Sequence, residues 1–312
     1  MVLKSISRII HEHSFKIKLA ITLIFIGILF SNFLQASSFE LIERFSAQTI
    51  SFLITLSIIT LILRAWRWKC VLEMLGYEIP FLNSTHLYAA GIYYGSISPA
   101  KVGEFVRCYY LANYGIPTKE GFGSVIYERF YDIALPITVI GLYYLFVDDV
   151  TNYGFLILAY IGTLLLWIGL MVTFCGFKPK IPYLRDLKDI NISNTRLIAT
   201  SGFVTLLIWI CFALIAYLIL YAFGVDVEFL YILFSVCVAI VVGLLPITVG
   251  GWGVREGAYI IMLSPFAEPP VIIIFSLVFV FMTTYFLAFI GLISEWIVKH
   301  DKPPLAGDKD LL

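Results

Sequence analysis

Uncharged apolar runs alternate with short charged connections along the whole chain. The runs are Leu19–Leu34, Gln48–Leu63, Phe81–Ser98, Val102–Tyr114, Ile133–Val147, Tyr153–Phe174, Leu197–Phe223, Phe229–Pro246, Val254–Ser264 and Pro270–Val298. Several reach the roughly 20 residues that a bilayer core requires of a helix. Others are too short to cross comfortably, and these are the ones that proline and glycine interrupt. Between residues 81 and 114 the break is Ser98-Pro99-Ala100-Lys101-Val102-Gly103-Glu104, and between 229 and 264 it is Pro246-Ile247-Thr248-Val249-Gly250-Gly251-Trp252-Gly253. Proline removes a backbone donor and glycine opens left-handed angles, so helices stop there. Irregular backbone at membrane depth is tolerated only where protein or a water-filled cavity surrounds it. The pattern predicts an all-α, polytopic transmembrane helical bundle with two re-entrant (broken) helix hairpins, whose breaks are Pro99, Gly103, Pro246, Gly250, Gly251 and Gly253.

The two hairpins resemble each other. Pro99-x-x-Val102-Gly103 and Pro246-x-x-Val249-Gly250 share their spacing, and each is followed by a Glu and an Arg: Glu104 and Arg107, then Arg255 and Glu256. We read two inverted halves, about residues 40–150 and 190–300, within one transmembrane domain spanning 1–312, with 299–312 as a polar cytoplasmic tail. Interrupted segments in corresponding positions of inverted halves mark the binding site of many secondary transporters.

Charge placement orients this arrangement. Let the helices at 48–63, 133–147, 153–174, 197–223 and 270–298 cross once each, and let each hairpin enter and leave on one side. Then 19 of the 21 Lys and Arg residues are cytoplasmic, leaving only Arg44 and Arg255 elsewhere. That split follows the positive-inside rule and places both termini in the cytoplasm of a cell (inner or plasma) membrane protein. Two full crossings at 81–114 keep the same parity. The basic segment before Leu19 is compatible with a first transmembrane helix or with a signal peptide ending near Gln35-Ala36-Ser37.

Composition supports a membrane solvent: 61% of residues are apolar and 13% charged, against about 25% charged in soluble domains. The net charge is zero, which gives no basic surface for nucleic acid. Five cysteines are scattered singly with no C-x-x-C pair, and the four histidines are dispersed. Buried thiols rather than a zinc site or disulfides are expected, with no metal and no cofactor. No Walker A, H-E-x-x-H or G-x-S-x-G motif occurs. The longest polar stretch, Lys178 to Arg196, has about 19 residues, too few for a soluble catalytic domain.

The embedded charges carry the candidate chemistry. A charge within a membrane helix costs roughly 2.5–3.5 kcal/mol on insertion scales, so it persists when paired or functional. Lys101, Glu104 and Arg107 flank the first break, Arg255 and Glu256 the second, and Glu128, Arg129 and Asp132 open the next helix. Glu104 and Arg107 share a helix face, as do Glu128 and Asp132, and Arg129 and Asp132. Such pairs can be structural. Alternatively, Arg107 and Arg255, each near a helix start after a glycine break, can hold an anionic head group. Arg67 in Arg64-Ala65-Trp66-Arg67-Trp68 reads as part of an interfacial belt or as a phosphate contact at a lateral entrance, and Glu295 as interfacial.

These residues also carry a family resemblance. Arg64-x-x-Arg67-Trp68, Gly95-x-x-x-Pro99-x-x-x-Gly103-Glu104-x-x-Arg107, Glu128-Arg129-x-x-Asp132 and Leu245-Pro246-x-x-x-Gly250-Gly251-x-Gly253-x-Arg255-Glu256-Gly257 occur in order. The chain resembles the transmembrane region of lysylphosphatidylglycerol synthetases, a flippase-like integral membrane family, over about residues 10 to 300. In full-length bacterial synthetases this region is linked to lipid translocation, and a separate soluble domain transfers lysine. This sequence ends at Leu312, so the resemblance implies the flipping half alone, as a stand-alone member. Ser98 and Lys101 depart from the Arg-rich or Asn-rich versions expected around the proline, which leaves head-group preference open.

The expected function is translocation of an anionic phospholipid, glycolipid or polyprenyl-phosphate-linked lipid between leaflets, without enzymatic activity. Substrate contacts are assigned to Arg107, Arg255, Glu104, Glu256, Glu128, Arg129, Asp132, Lys101 and Arg67. Two alternatives stand beside it: a membrane-embedded transferase acting on a lipid phosphate with Glu128 or Asp132 as base, and a small-solute secondary transporter. The expected partner is a membrane lipid with an anionic head group. A homo-oligomer and a separately encoded lipid-modifying enzyme are compatible with the sequence.

Overall fold

The computed structural model describes residues 40–146, 195–244, 248 and 251–300, with isolated positions at 23, 27, 160, 163 and 164. The runs at 19–34 and 153–174, the basic segment 176–194, Cys175, the tail at 301–312 and, within the second break, Pro246 and Gly250 lie outside it, apart from those isolated positions. Among the described residues every regular element is helical and none is a strand.

A short helix α1 (Glu40–Glu43) precedes α2 (Ala47–Met74), whose N-terminus is capped by Ser46 accepting from the Thr49 N–H at 3.0 Å. The predicted run ended at Leu63, but the helix continues another eleven residues because Arg67 and Trp68 are buried inside the bundle. The first hairpin is α3 (Phe81–Ile97), a 3-10 turn (Pro99–Phe105), α4 (Val106–Leu111) and a second 3-10 turn (Ala112–Tyr114). Ser98 is extended, as the residue before a proline should be. Its hydroxyl accepts the Gly103 N–H at 2.7 Å, which closes the tip. Helix α5 (Thr118–Phe146) then begins well before the predicted Ile133 and carries Pro136 in its interior.

The second half follows the same plan. Helix α6 (Thr195–Ala222) leads to α7 (Phe229–Gly243) and, past the break, to α8 (Val254–Leu263). A long apolar span follows, made of α9 (Pro269–Val280), a π-helical turn (Phe281–Tyr285) and α10 (Phe286–His300). Three spans are long and apolar enough to cross a membrane among the described residues: Ala47–Met74, Arg196–Ala222 and Pro269–Ile297.

Exchanging the halves maps each packed helix pair onto another packed pair. α2 packs on α3 and α5, as α6 packs on α7 and α9. α4 packs on α5, as α8 packs on α9, and α3 packs on α10, as α7 packs on α5. α2 and α6 pack on each other and run antiparallel. Arg44 Nη1 donates to the Phe223 carbonyl at 3.0 Å at one end, and Arg67 Nη1 to Thr205 Oγ1 at 3.3 Å toward the other. Antiparallel first helices are the relation an inverted repeat requires. One apolar core runs through α6–α9, and a second joins α2, α3 and α10.

Candidate functional site

The break glycines explain how each hairpin turns. A Cβ on Gly103 would lie 2.0 Å from the Tyr94 carbonyl oxygen, and one on Gly251 would lie 2.6 Å from the Gly243 carbonyl oxygen. Each tip therefore folds against the arm that precedes it at a distance only glycine allows. In sequence, Gly95, Gly103 and Arg107 repeat as Gly243, Gly251 and Arg255 with identical spacing. This places one arginine on each return arm.

The two arginines meet different surroundings. Arg107 is buried, and its Nη2 donates to Glu128 Oε2 at 2.5 Å. Its guanidinium carbon lies 4.8 Å from the Trp68 ring centroid and 4.6 Å from that of Tyr88. The other Glu128 oxygen accepts from Arg67 Nη2 at 2.9 Å, and Arg67 reaches Asp132 at 2.7 Å. Two guanidiniums thus share one fully buried carboxylate where α2, α4 and α5 meet. Trp68 Nε1 donates to Ser124 Oγ at 3.0 Å and ties the same helices together.

Arg255 instead pairs with its neighbour. Its Nε and Nη2 donate to Glu256 Oε1 at 3.1 and 2.7 Å. Glu256 Oε2 accepts the Gly253 N–H at 2.6 Å, and Ser276 Oγ donates to Oε1 at 3.1 Å. Glu256 caps the start of its own helix, so that terminus is filled by protein. The first return arm has no comparable terminus, since α4 has six residues and is entered through a 3-10 turn.

Between the hairpins lies a cavity of about 110 Å³. Water needs roughly 10–15 Å³ on such a measure, so the space suits several waters or one phosphate-sized group rather than a whole lipid. Four cations line it (Arg64, Lys101, Arg129 and Arg255) against two carboxylates, Glu104 and Asp132. Arg129 bridges both carboxylates, reaching Asp132 at 3.3 Å and pairing closely with Glu104. Arg64 and Lys101 have no ion pair among the described residues; the Arg64 guanidinium lies 4.8 Å from the Phe212 ring centroid. Apolar walls come from Ile208 and Phe212 of α6 and Ile240 of α7. Trp209 also lines the cavity, and its buried indole N–H has no partner among the described residues. Lys101 sits at the hairpin tip with φ 56°, and no other non-glycine residue among those described has a positive φ. That conformation costs on the order of 1–2 kcal/mol and tends to persist at functional sites. A second cavity of about 90 Å³ shares Lys101, Arg255 and Thr284 with the first and adds Ser96, Trp252 and Tyr285.

The structure therefore gathers Lys101, Glu104, Arg129, Asp132 and Arg255 at one cavity, and places Arg67, Arg107, Glu128 and Glu256 behind it as partners of one another or of the lining residues. Several sequence expectations change. Arg107 lines neither described cavity. Arg67 and Trp68 are interior residues and form no interfacial belt, although Trp66 is exposed. Glu104 pairs across to Arg129 and not with Arg107, whose carboxylate partner is Glu128 on α5. Glu295 is buried and accepts from Tyr94 at 2.7 Å and Tyr110 at 3.3 Å, so it holds α10 to both arms of the first hairpin. Cys70, Cys108, Cys211 and Cys237 are buried free thiols, as expected. Arg64 was missed as a lining residue, yet it stands one helical turn before Arg67, and a turn was the available signal. Thr284 had no such signal, since its place depends on the π turn, a feature often found at functional sites.

Comparison with known proteins places the chain in a membrane-protein family. Residues 16–291 match the model of the family described as Lysylphosphatidylglycerol synthase TM region, and the chain belongs to that family. It is 25% identical over 267 residues to a UPF0104 membrane protein of Archaeoglobus fulgidus, an alignment covering 75% of this chain and 81% of the relative. A shorter stretch of 83 residues is 34% identical to a UPF0104 membrane protein of Methanocaldococcus jannaschii, covering 26% of this chain and 25% of that one. The protein is an all-α integral membrane protein.

Proposed function

We propose that this protein is a lipid transporter of the flippase type that carries an anionic head group between leaflets through the cavity between its two hairpins. The observation that carries the reading is the convergence of four cations against two carboxylates in a cavity with apolar walls. Such a site suits an amphiphile whose head group is anionic and whose tails stay in the bilayer. Arg64, Lys101 and Arg255 are the head-group contacts, with the Trp209 N–H as an additional donor. Arg129 is the cation that must exchange its carboxylates as the head group passes. Arg67, Arg107, Glu128 and Glu256 are positioning residues.

The lengths of the hairpin arms support a re-entrant placement. The return arms of six and ten residues span about 9 and 15 Å at ~1.5 Å per residue, well short of a ~30 Å bilayer core. Cytoplasmic termini in a cell membrane, and a separately encoded enzyme that makes the lipid, belong to the same proposal. Glu128 is a poor candidate base for a transferase, since it is fully buried between two guanidiniums. The apolar walls favour an amphiphile over a small solute.

The test is translocation of a fluorescent anionic lipid in proteoliposomes, read by quenching from one side. We expect the Lys101→Gln/Arg255→Gln double variant to lose most of the protein-dependent rate while staying folded in detergent. An unchanged rate removes the cavity from the transport path.

A further inference from the structure

The embedded charges around the two cavities do not balance. Consider every charged group that lines either cavity, together with those joined to the lining groups by ion pairs. The cations are Arg64, Arg67, Lys101, Arg107, Arg129 and Arg255. The carboxylates are Glu104, Glu128, Asp132 and Glu256. With each group in its ordinary ionised form, six cations against four carboxylates leave a net charge of +2 among the described residues.

The surplus is localised. Every carboxylate of the cluster is engaged by Arg67, Arg107, Arg129 or Arg255, which leaves Arg64 and Lys101 as the two cations without an ion pair among the described residues. Both line the first cavity, and no carboxylate among the described residues lines the second. Arg64 is half-buried and Lys101 exposed, so both charges are open to a ligand, and a membrane gives little water to relieve them. A ligand with one negative charge leaves half of the surplus standing, whereas one with two removes it.

We infer that the head group recognised here is dianionic, a terminal phosphate monoester or a diphosphate on a lipid, in preference to a singly charged phosphodiester. This rests on the lipid-transport reading and narrows its substrate class. A monoester fits the first cavity between Arg64, Lys101 and Arg255. A diphosphate would also use the second cavity, since Lys101 and Arg255 border both. Arg64 and Arg255 present planar forks suited to phosphate oxygens, and Lys101 supplies a compact point charge.

The test compares lipids with identical tails. Dioleoyl phosphatidic acid and dioleoyl phosphatidylglycerol are titrated against the full-length protein in detergent by native mass spectrometry. The measurement is made at pH 8, where a phosphate monoester carries its second charge. We expect the monoester to bind at least about tenfold tighter, the factor that ~1.4 kcal/mol of added electrostatic attraction produces. Geranylgeranyl diphosphate should also bind tighter than the diester, and its rank against phosphatidic acid tells whether the second cavity contributes. Lys101→Gln should shrink the monoester preference. Equal affinities, a diester preference, or no binding of either lipid overturns the inference. Translocation of the diester lipid without any monoester preference would do the same and leave the transport reading standing. Monoester-selective binding by a protein that moves no lipid would refute transport and leave the head-group assignment intact.

Discussion

Where α2, α4 and α5 meet, two guanidiniums close on one buried carboxylate. At the matching junction of α6, α8 and α9 two of the three positions carry different side chains. The common spacing of the glycines and arginines sets Arg67 opposite Ile215, Arg107 opposite Arg255 and Glu128 opposite Ser276. Ile215 is fully buried in an apolar core with Phe275 and Phe279. Arg255 finds its carboxylate next to it on its own helix, while Arg107 finds its carboxylate across on α5. A carboxylate across the interface draws an arginine inward, and one on the same helix lets it remain at the cavity. Arg107 is accordingly 1% exposed in its side chain and absent from the described cavity linings, whereas Arg255 lines both cavities. Two hairpins of one design thus yield one arginine buried in an ion pair between helices and one that lines the cavities. Pro136 sits within α5 at the position that the π turn occupies between α9 and α10.

The strongest test of this contrast removes the shared carboxylate. Glu128→Ala leaves two fully buried guanidiniums with one partner fewer each. We expect a loss of about 3–5 kcal/mol, seen as a large fall in thermal midpoint or in folded yield. Replacing the whole set with apolar residues (Arg67→Met, Arg107→Met, Glu128→Leu) should recover most of that loss, because the second half packs uncharged Ile215 and Ser276 at the positions matching Arg67 and Glu128. If the triple variant is as unstable as Glu128→Ala, the two interiors are not interchangeable and the comparison fails.

Next come the tips. Gly103→Ala and Gly251→Ala both press a methyl against a backbone carbonyl, and Gly251 also has φ 76°. We expect each to cost roughly 1–3 kcal/mol in thermal unfolding, as strained backbone positions do. A loss confined to one tip would show that the two breaks are not equivalent. Ser276→Ala, at the position matching Glu128, should cost only about 1 kcal/mol, the value of one hydrogen bond, and therefore far less than Glu128→Ala.

The smallest effect on stability, with opposite sign, is expected at Lys101. Lys101→Gly relieves a left-handed conformation and should raise stability by up to about 1 kcal/mol while lowering translocation of anionic lipid. Reduced transport together with reduced stability would place Lys101 among the structural residues.

The sequence by itself determined the solvent, the helical class and the place of the first helix break. These are local or additive properties: a run of apolar residues is too long for anything but lipid or core, and Pro and Gly stop a helix wherever it lies. The sequence pairing of Gly103 with Gly250 gives way to Gly251, the glycine that presses on the preceding arm as Gly103 does. The sequence also placed Arg129 and Asp132 on one helix face, where they form an ion pair. It could not assign partners across helices. Arg67 meets Glu128, Arg129 meets Glu104 and Tyr94 meets Glu295 over separations that no periodicity encodes. Only the tertiary structure decided that Arg107 is spent on Glu128 and that Arg64 and Lys101 line the cavity without an ion pair among the described residues. The physical reason is that ion pairing in a low-dielectric interior depends on distances between packed helices, and those distances are set by the whole bundle rather than by any one segment.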